Sequence, residues 1–523
     1  MAISAAIPSR SRLTRAQKSL WSFGSGLGYL VLTISFCLVT TPWLLAWLGR
    51  ERYGAWRVLL DCFAYLSLFD LGFGGAMMGL LAPAVGSGDT ISARQIIASS
   101  LAIYRRITLV MLAGGVLLTV LLPWVIPELN TAELWLAGAI MVVPAIWTSA
   151  NVFRALAEAR QQSYVVNYSL IGQYLLITAL SLAAAKLQWG LAGQAGAQTV
   201  GLMFSALILI AIGLRDYPPL RQAQSAVRLK AALWKLNWPT LVFNLSGRVG
   251  LLSDNIIVGW TMGPALVAPF FLTQRLASLA QIQLQSMGNA TWAALVELHA
   301  NGDMESFRSR LLELSGLVSG LGLALLGPIG AYNRQFTLHW LGPAAYAGDG
   351  VTLLACLNGW LSSIFSLWGW PLSGTGKIAA WAPYSVAFLV VNLGVSVGAT
   401  LGFGLVGPLL GTLAGFLSVS AWAMPRVLKQ AFGIEPWNLC AAAGRPLLLG
   451  VPYAGLVWWL AHSHAANGWL GLGAEMGATA LGGVAIWWYT GISREGRNIW
   501  RRRLTAMLAH LPAMAEPGRA TAE

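Results

Sequence analysis

Fourteen stretches of the chain are apolar over roughly the 20 residues that an α-helix needs to cross a bilayer. Breaks that carry charged, glycine or proline residues separate them. Only 10% of the 523 residues are charged, against about 25% in an ordinary soluble domain. We therefore predict an all-α polytopic membrane protein with about 14 transmembrane helices. The predicted spans are residues 22–48, 55–83, 98–122, 134–156, 164–187, 190–213, 238–262, 265–297, 311–333, 350–373, 379–402, 405–428, 446–462 and 474–492.

Lysine and arginine are distributed unevenly among the segments between these spans. If the amino terminus is cytoplasmic, most of the 33 basic residues lie on the cytoplasmic side, and both termini lie there too. This is the bias that sets the orientation of membrane proteins. It also accounts for most of the net charge of +14, so it predicts anionic lipid headgroups, and no nucleic acid, as partners. The basic residues left outside are Arg50, Arg52, Arg57, Lys186 and Arg334.

A shift of 214 residues superposes two pairs of short motifs. The WLG that closes span 1 falls on the TMG that closes span 7, and the GLAG that opens span 6 falls on the GLVG that opens span 12. Two six-span lobes of the same orientation are predicted, as in transporters built from parallel repeats. The predicted segments are a basic cytoplasmic amino terminus (1–21), an N-lobe (22–213), a cytoplasmic linker (214–237), a C-lobe (238–428), two extra spans (429–492) and a basic cytoplasmic tail (493–523).

Five ionisable residues lie well inside the predicted spans: Asp61, Asp70, Arg248, Asp254 and Arg275. Asp61 has a basic residue one helical turn away, so we predict a local structural pair for it. The other four have no opposite charge within four residues of their own helix. Each therefore needs a partner on another helix, a water-filled cavity or a ligand.

Helical geometry places the polar residues of spans 7 and 8 on defined faces. On span 7, Asn244, Arg248 and Asn255 share one face, and Asp254 lies about 120° away from Arg248. On span 8 a polar stripe has Arg275 at its edge. Such a stripe lines water or protein in preference to lipid. The stripe consists of Gln274, Ser278, Gln281, Gln285 and Asn289.

Two interpretations of the deep arginines stay open. In one, Arg248 and Arg275 form an anion site, because a guanidinium binds phosphate bidentately and stays charged when it is desolvated. In the other, they bridge helices through Asp70 and Asp254. Both could hold in different conformations, with the aspartates acting as counter-charges or proton sites.

Signatures of catalysis and of cofactor binding are absent from the sequence. The five histidines form no metal-spaced cluster, and PLSGTGKIA (Pro371 to Ala379) lacks the first glycine of a phosphate-binding loop and the Ser/Thr after its lysine. No loop exceeds about 25 residues, which excludes a folded domain outside the membrane. We predict no catalytic residues, no metal and no cofactor.

The segment LGRERYGAWRVLLDCFAYLSLFDLGFGGAMM (Leu48 to Met78) resembles a signature of bacterial oligosaccharide and polysaccharide flippases. In that signature an LG-x-x-x-YG-x-W turn precedes a helix that ends in D-x-G. GPALVAPFFLTQRLASL (Gly263 to Leu279) is similar to the matching second-half signature, and SGTGK (Ser373 to Lys377) to the turn after span 10. The family belongs to the multidrug/oligosaccharidyl-lipid/polysaccharide exporter superfamily. The resemblance implies a V-shaped, two-lobe transporter without enzymatic activity.

The resemblance further implies a substrate: a polyprenyl-diphosphate-linked glycan moved across the bacterial cytoplasmic (inner) membrane by alternating access, for cell-surface polysaccharides such as O-antigen. Arg248 and Arg275 would contact the diphosphate, and Asn244, Asn255, Gln274, Gln281 and Gln285 would line the site. Other membrane proteins of polysaccharide assembly are further candidate partners. A drug or metabolite antiporter of the same superfamily is the alternative. A membrane glycosyltransferase, polymerase or ligase fits less well, because the outer segments are short.

Overall fold

A computed structural model of the chain describes residues 15–70, 73–216, 249–250, 252–464, 466–492 and 497. Every regular element in these ranges is helical. The helices are α1 Arg15–Ala64, α2 Phe73–Gly86, α3 Thr90–Val125, α4 Thr131–Val142, α5 Ala150–Ala159, α6 Ser163–Lys186, α7 Gly190–Asp216, α8 (residues 252–262), α9 Pro264–Ala300, α10 Met304–Leu341, α11 Asp349–Gly374, α12 Ala382–Phe403, α13 Gly407–Gly415, α14 Ala421–Phe432, α15 Pro436–Ser463 and α16 Gly468–Ile486. A kink at Gly49 divides α1 into a first arm (residues 15–48) and a second arm (residues 50–64).

The described helices are long enough for most of the predicted crossings. Within the residues that the structure describes, ten helical segments are long and apolar enough to cross a membrane, and a bent pair makes an eleventh. Two of the ten, Trp21–Asp70 and Ala382–Phe432, have 50 and 51 residues, which is about 75 Å of helix and enough for two crossings each. The last part of the predicted seventh span is α8. The all-α, polytopic fold class is confirmed.

Prolines make the helices less regular than the predicted spans. Span 4 is broken by a 3-10 turn, Val143–Trp147, that contains Pro144, and its two halves are bent by 46°. Span 12 carries a π-helical turn, Phe416–Ser420, shortly before Pro425. A proline lacks the N–H that an α-helix needs and its ring crowds the carbonyl four residues earlier, so the helix kinks or widens there.

The 214-residue repeat is visible in the backbone. Three pairs of glycines at this offset adopt a positive φ at a helix boundary, a conformation that strains other residues. Two of these pairs belong to the motifs that the sequence aligned, and the third had no motif to mark it. The pairs are Gly49 with Gly263 (φ 75° and 88°), Gly190 with Gly404 (59° and 68°) and Gly88 with Gly302 (74° and 76°).

The described residues form two compact units, one within Met1–Phe271 and Ala382–Ala414, the other within Leu272–Trp381 and Gly415–Glu523. In the first unit, α6 packs on α1 and α7, and α4 on α3 and α7. In the second, α10 is central and packs against α11, α15 and α16. Of the most apolar stretch of α10, 67% is buried, against 17% for the corresponding stretch of the span that contains α16. A side chain at Gly320 of α10 would collide with Trp487, so the close packing requires glycine there. The predicted lobe boundaries and the V shape stay predictions.

Candidate functional site

The predicted site residues fall into three groups in the structure. Arg248 and Asn244 lie outside the described residues. Asp70, Asp254 and Asn255 belong to the first unit, whereas the α9 residues Gln274, Arg275, Gln281 and Gln285 belong to the second.

Within the first unit, α8 and the start of α9 pack against the second arm of α1. A Cβ at Gly54 would collide with the Pro264 carbonyl oxygen, and one at Gly259 would lie 2.7 Å from the Val58 side chain. The backbones approach closely because both contact points are glycines. Gly54 is the second glycine of the LG-x-x-x-YG-x-W pattern, and the first, Gly49, breaks the helix with its positive φ. The two glycines of the signature therefore have distinct backbone roles.

Between α8 and the second arm of α1, Asp61 is the centre of a polar cluster. Asn255 Nδ2 donates to Asp61 Oδ2 at 2.6 Å, and Arg57 Nη2 lies 3.8 Å from Asp61 Oδ1. The Arg57 guanidinium also stacks over the Phe271 ring, 3.8 Å from its centroid. The predicted local pair of Arg57 and Asp61 is confirmed. Asn255, predicted to line the substrate site, binds this carboxylate in the structure.

Asp254 lies beside the same cluster. Its Oδ1 is buried and accepts no hydrogen bond within the described part of the chain. Its carboxylate lies near the Tyr65 hydroxyl and near the Asp61 carboxylate. The Tyr65 hydroxyl donates to the Val249 carbonyl oxygen at 3.3 Å. Two buried carboxylates in one cluster repel each other when both are ionised, so the arrangement suits protonation of one of them or a bound cation.

Asp70 ends a 3-10 turn, Tyr65–Asp70, that interrupts span 2. Asp70 and the Asn151 side chain of α5 both lie near the hydroxyl of Tyr104 on α3. Tyr104 is fully buried and meets the Phe73 ring edge-on at 6.4 Å. The turn therefore directs Asp70 toward other helices of the first unit. Its predicted pairing with a second-half arginine stays a prediction.

In the second unit, the polar stripe of α9 faces α11 over part of its length. Gln281 Nε2 donates to Ser362 Oγ at 3.0 Å. Gln285 Nε2 lies 3.1 Å from Ser362 Oγ and 3.3 Å from Ser366 Oγ. The sequence predicted that this stripe meets water or protein in preference to lipid, and α11 is the protein it meets.

The α9 turn that carries Gln274 and Arg275 is fixed by neighbouring backbone contacts. Asn333 Nδ2 of α10 donates to the Thr273 carbonyl oxygen at 2.8 Å and to Thr352 Oγ1 at 2.9 Å. The Thr273 hydroxyl accepts from the Ala347 N–H at 2.8 Å. Both Thr273 and Asn333 are buried. Sequence reasoning missed these two residues, because an uncharged polar residue in a span gives no signal of its partner.

Among the residues that the structure describes, no three His, Cys, Asp or Glu side chains lie close enough together to hold a metal ion. All four cysteines are free thiols.

No protein-family model matches the sequence, and no curated protein matches it closely enough to count as a relative. Solved structures do match. One is the lipid II flippase MurJ in an inward closed conformation, with a TM-score of 0.66 and 11% identity over 90% of this chain and 99% of that one. Another is a multidrug resistance MATE family transporter of the MOP superfamily, facing inward, with a TM-score of 0.60 and 14% identity over 77% and 99%.

A third match is a MOP superfamily transporter from Pyrococcus furiosus, described as having a binding pocket of reverse polarity that suggests a different function. Its TM-score is 0.56, with 15% identity over 80% of this chain and 97% of that one. Each match covers nearly the whole of the solved chain. At such low identity the likeness establishes the fold alone. This chain has the fold of the multidrug/oligosaccharidyl-lipid/polysaccharide exporter superfamily.

Proposed function

We propose that this protein is a flippase that moves a polyprenyl-diphosphate-linked oligosaccharide across the bacterial cytoplasmic membrane by alternating access, with both termini in the cytoplasm and no enzymatic activity. The observation that carries the proposal is Arg275, which lies in the same membrane-crossing helix as the amides of Gln281 and Gln285. A guanidinium suits a diphosphate, and a column of amides and hydroxyls suits a glycan. The fold shared with a lipid II flippase supports the same class of cargo.

The proposed division of labour follows from charge. Arg275 would bind the diphosphate through charge-assisted hydrogen bonds, which are few and directional. Gln281, Gln285 and the serines of α11 would make weaker and more tolerant contacts with sugar hydroxyls. Arg248 stays a prediction of the sequence for the same role. Asp70 and Asp254 are proposed as counter-charges or proton sites.

The test is a flipping assay in proteoliposomes that contain a fluorescent polyprenyl-diphosphate oligosaccharide. Arg275→Ala should abolish flipping and Arg275→Lys should restore it only in part, because lysine lacks the planar fork. Gln283→Ala is the matched control, since Gln283 lies on the opposite side of α9 from Gln281 and Gln285. Wild-type flipping in Arg275→Ala would rule out the diphosphate contact.

A drug or metabolite antiporter is the second candidate. It is favoured by the MATE structures that share the fold and by the interacting carboxylates Asp61 and Asp254, which suit cation-coupled exchange. The same proteoliposomes separate the two functions. Gradient-driven uptake of an organic cation without any flipping of the lipid-linked glycan would favour the antiporter.

A further inference from the structure

His462 lies at the end of the second unit where α15 ends and α11 begins, and its contacts do not depend on which substrate the protein moves. Charge bias assigns this end to the outer side of the membrane. The His462 ring stacks on Trp458 at 4.1 Å, and its Nδ1 lies 2.8 Å from the Trp458 carbonyl oxygen. Because a carbonyl oxygen only accepts, Nδ1 must carry a hydrogen.

The other ring nitrogen faces a carboxylate. His462 Nε2 lies 3.4 Å from Asp349 Oδ2, is buried, and makes no hydrogen bond to any described residue. With Nδ1 protonated, a neutral imidazole turns its Nε2 lone pair toward this carboxylate. A charged imidazolium would instead place an N–H there.

Asp349 is well held for this contact. It lies in the first turn of α11, where the helix dipole favours a negative charge. Its Oδ1 accepts from the Tyr346 hydroxyl at 2.5 Å, and that hydroxyl also lies 3.3 Å from Thr352 Oγ1. Burial, with a smaller effect of the hydrogen bond to Asp349, raises the pKa of Tyr346, so it stays a donor. Arg334 of α10 is a positively charged residue close to the Tyr346 hydroxyl.

A second, more exposed pair lies nearby. His464 Nε2 is 3.3 Å from Glu475 Oε1 of α16, and the His464 side chain is 63% exposed. The Glu475 carboxylate also lies near the Tyr332 hydroxyl of α10. Gln335 of α10 bonds the backbone around these residues, donating to the Ala461 and His464 carbonyl oxygens.

We propose that His462 and Asp349 form a pH-operated clamp between α15 and α11. Imidazoles change charge between about pH 5 and 8. When His462 gains a proton, its Nε2–H donates to Asp349 and the clamp closes. When the proton leaves, two electron-rich groups face each other and the clamp opens. Since α11 carries Ser362 and Ser366, the clamp links the pH at this end to the helix that holds the α9 amides.

Hydrogen–deuterium exchange on the purified full-length protein tests the clamp. Exchange of peptides covering residues 350–356 and 458–463, corrected for intrinsic rates and compared with residues 320–328 of α10, is measured at pH 5.5 and 7.5. In the wild type, protection should be up to about five-fold greater at pH 5.5, the range that a partly exposed ion pair gives. Both His462→Ala and Asp349→Asn should abolish the difference between the two pH values.

His464→Gln is the matched control, because it removes the neighbouring, exposed histidine and leaves the clamp intact. A thermal melt at pH 7.5 shows which variants fold. If His462→Ala does not fold, the result for Asp349→Asn alone tests the clamp. Persistence of the pH effect in Asp349→Asn, its loss in His464→Gln, or equal protection of the wild type at both pH values would each overturn the proposal.

Discussion

The side-chain amide of Asn255 donates to the carboxylate of Asp61 at 2.6 Å, which joins α8 to the second arm of α1. The two residues are 194 positions apart in the chain. Together with Arg57 they form a nearly neutral unit inside the membrane, where an unpaired charge is costly. A residue predicted to bind substrate therefore also has a structural bond to maintain.

Asp61→Ala should lower the free energy of unfolding by about 1–3 kcal/mol, because it leaves Asn255 and Arg57 without their acceptor. Asp61→Asn should cost less, since its amide oxygen still accepts from Asn255. Thermal unfolding in detergent measures both. Equal losses in the two variants would show that the hydrogen bond with Asn255 contributes nothing.

Asp254→Asn should remove the dependence of transport on a proton or cation gradient while the protein stays folded. The reason is that the variant keeps the size of the side chain and ends its repulsion with Asp61. Transport is followed in proteoliposomes with and without an imposed gradient, with Asp89→Asn, at the exposed cap of α3, as the aspartate control. Full gradient dependence in Asp254→Asn would exclude it as the coupling residue.

Ser362→Ala should destabilise the second unit by about 1–3 kcal/mol, because Gln281 and Gln285 both lose an acceptor at a buried position. Ser363→Ala is the matched control: its hydroxyl bonds only to the Gly359 carbonyl of its own helix among the contacts described. Unfolding free energies of the two variants are compared. A loss in Ser363→Ala as large as in Ser362→Ala would mean that helix packing, and not the amide contact, is responsible.

Asp89 and Asp303, 214 residues apart, cap α3 and α10 through the same type of contact. Hydrogen bonds from Ser92 lower the pKa of Asp89, and those from Ser306 lower the pKa of Asp303. A carboxyl whose folded pKa is depressed stabilises the fold above its unfolded value of about 3.9, and loses this effect as the pH falls through the folded pKa.

Amide exchange of residues 304–308, corrected for intrinsic rates, should therefore show protection that decreases as the pH is lowered from 6 to 3 in the wild type. Asp303→Asn should keep the cap without that pH dependence, because asparagine caps as well as aspartate does. Asp303→Ala should lose protection at every pH. An unchanged pH profile in Asp303→Asn would show that Asp303 does not titrate in this range.

Gly54→Ala should destabilise the first unit by at least about 2 kcal/mol, because its Cβ would meet a backbone carbonyl that cannot rotate away. Gly28→Ala, on the same helix with open space around the new Cβ, should be neutral or slightly stabilising. Thermal unfolding compares the two. Tolerance of alanine at both positions would argue against the close approach of α1 and the start of α9.

The sequence by itself determined the crossings, the charge bias and part of the repeat. Crossing helices can be predicted because the bilayer imposes a length and a polarity on every span. The repeat was detectable where glycines stood within matching motifs, at Gly49 and Gly263 and at Gly190 and Gly404. The equivalent pair Gly88 and Gly302 needed the backbone angles, because a glycine alone does not reveal its φ.

Only the tertiary structure decided what the polar residues touch. Periodicity placed Asn255 on a face of its helix and Gln281 in a stripe, but it could not show that Asp61 and Ser362 lie opposite them. Nor could it identify Thr273 and Asn333, which fix the turn before Arg275. A helical pattern records the direction of a side chain about its own axis, whereas its partner depends on which helices pack together and in what register.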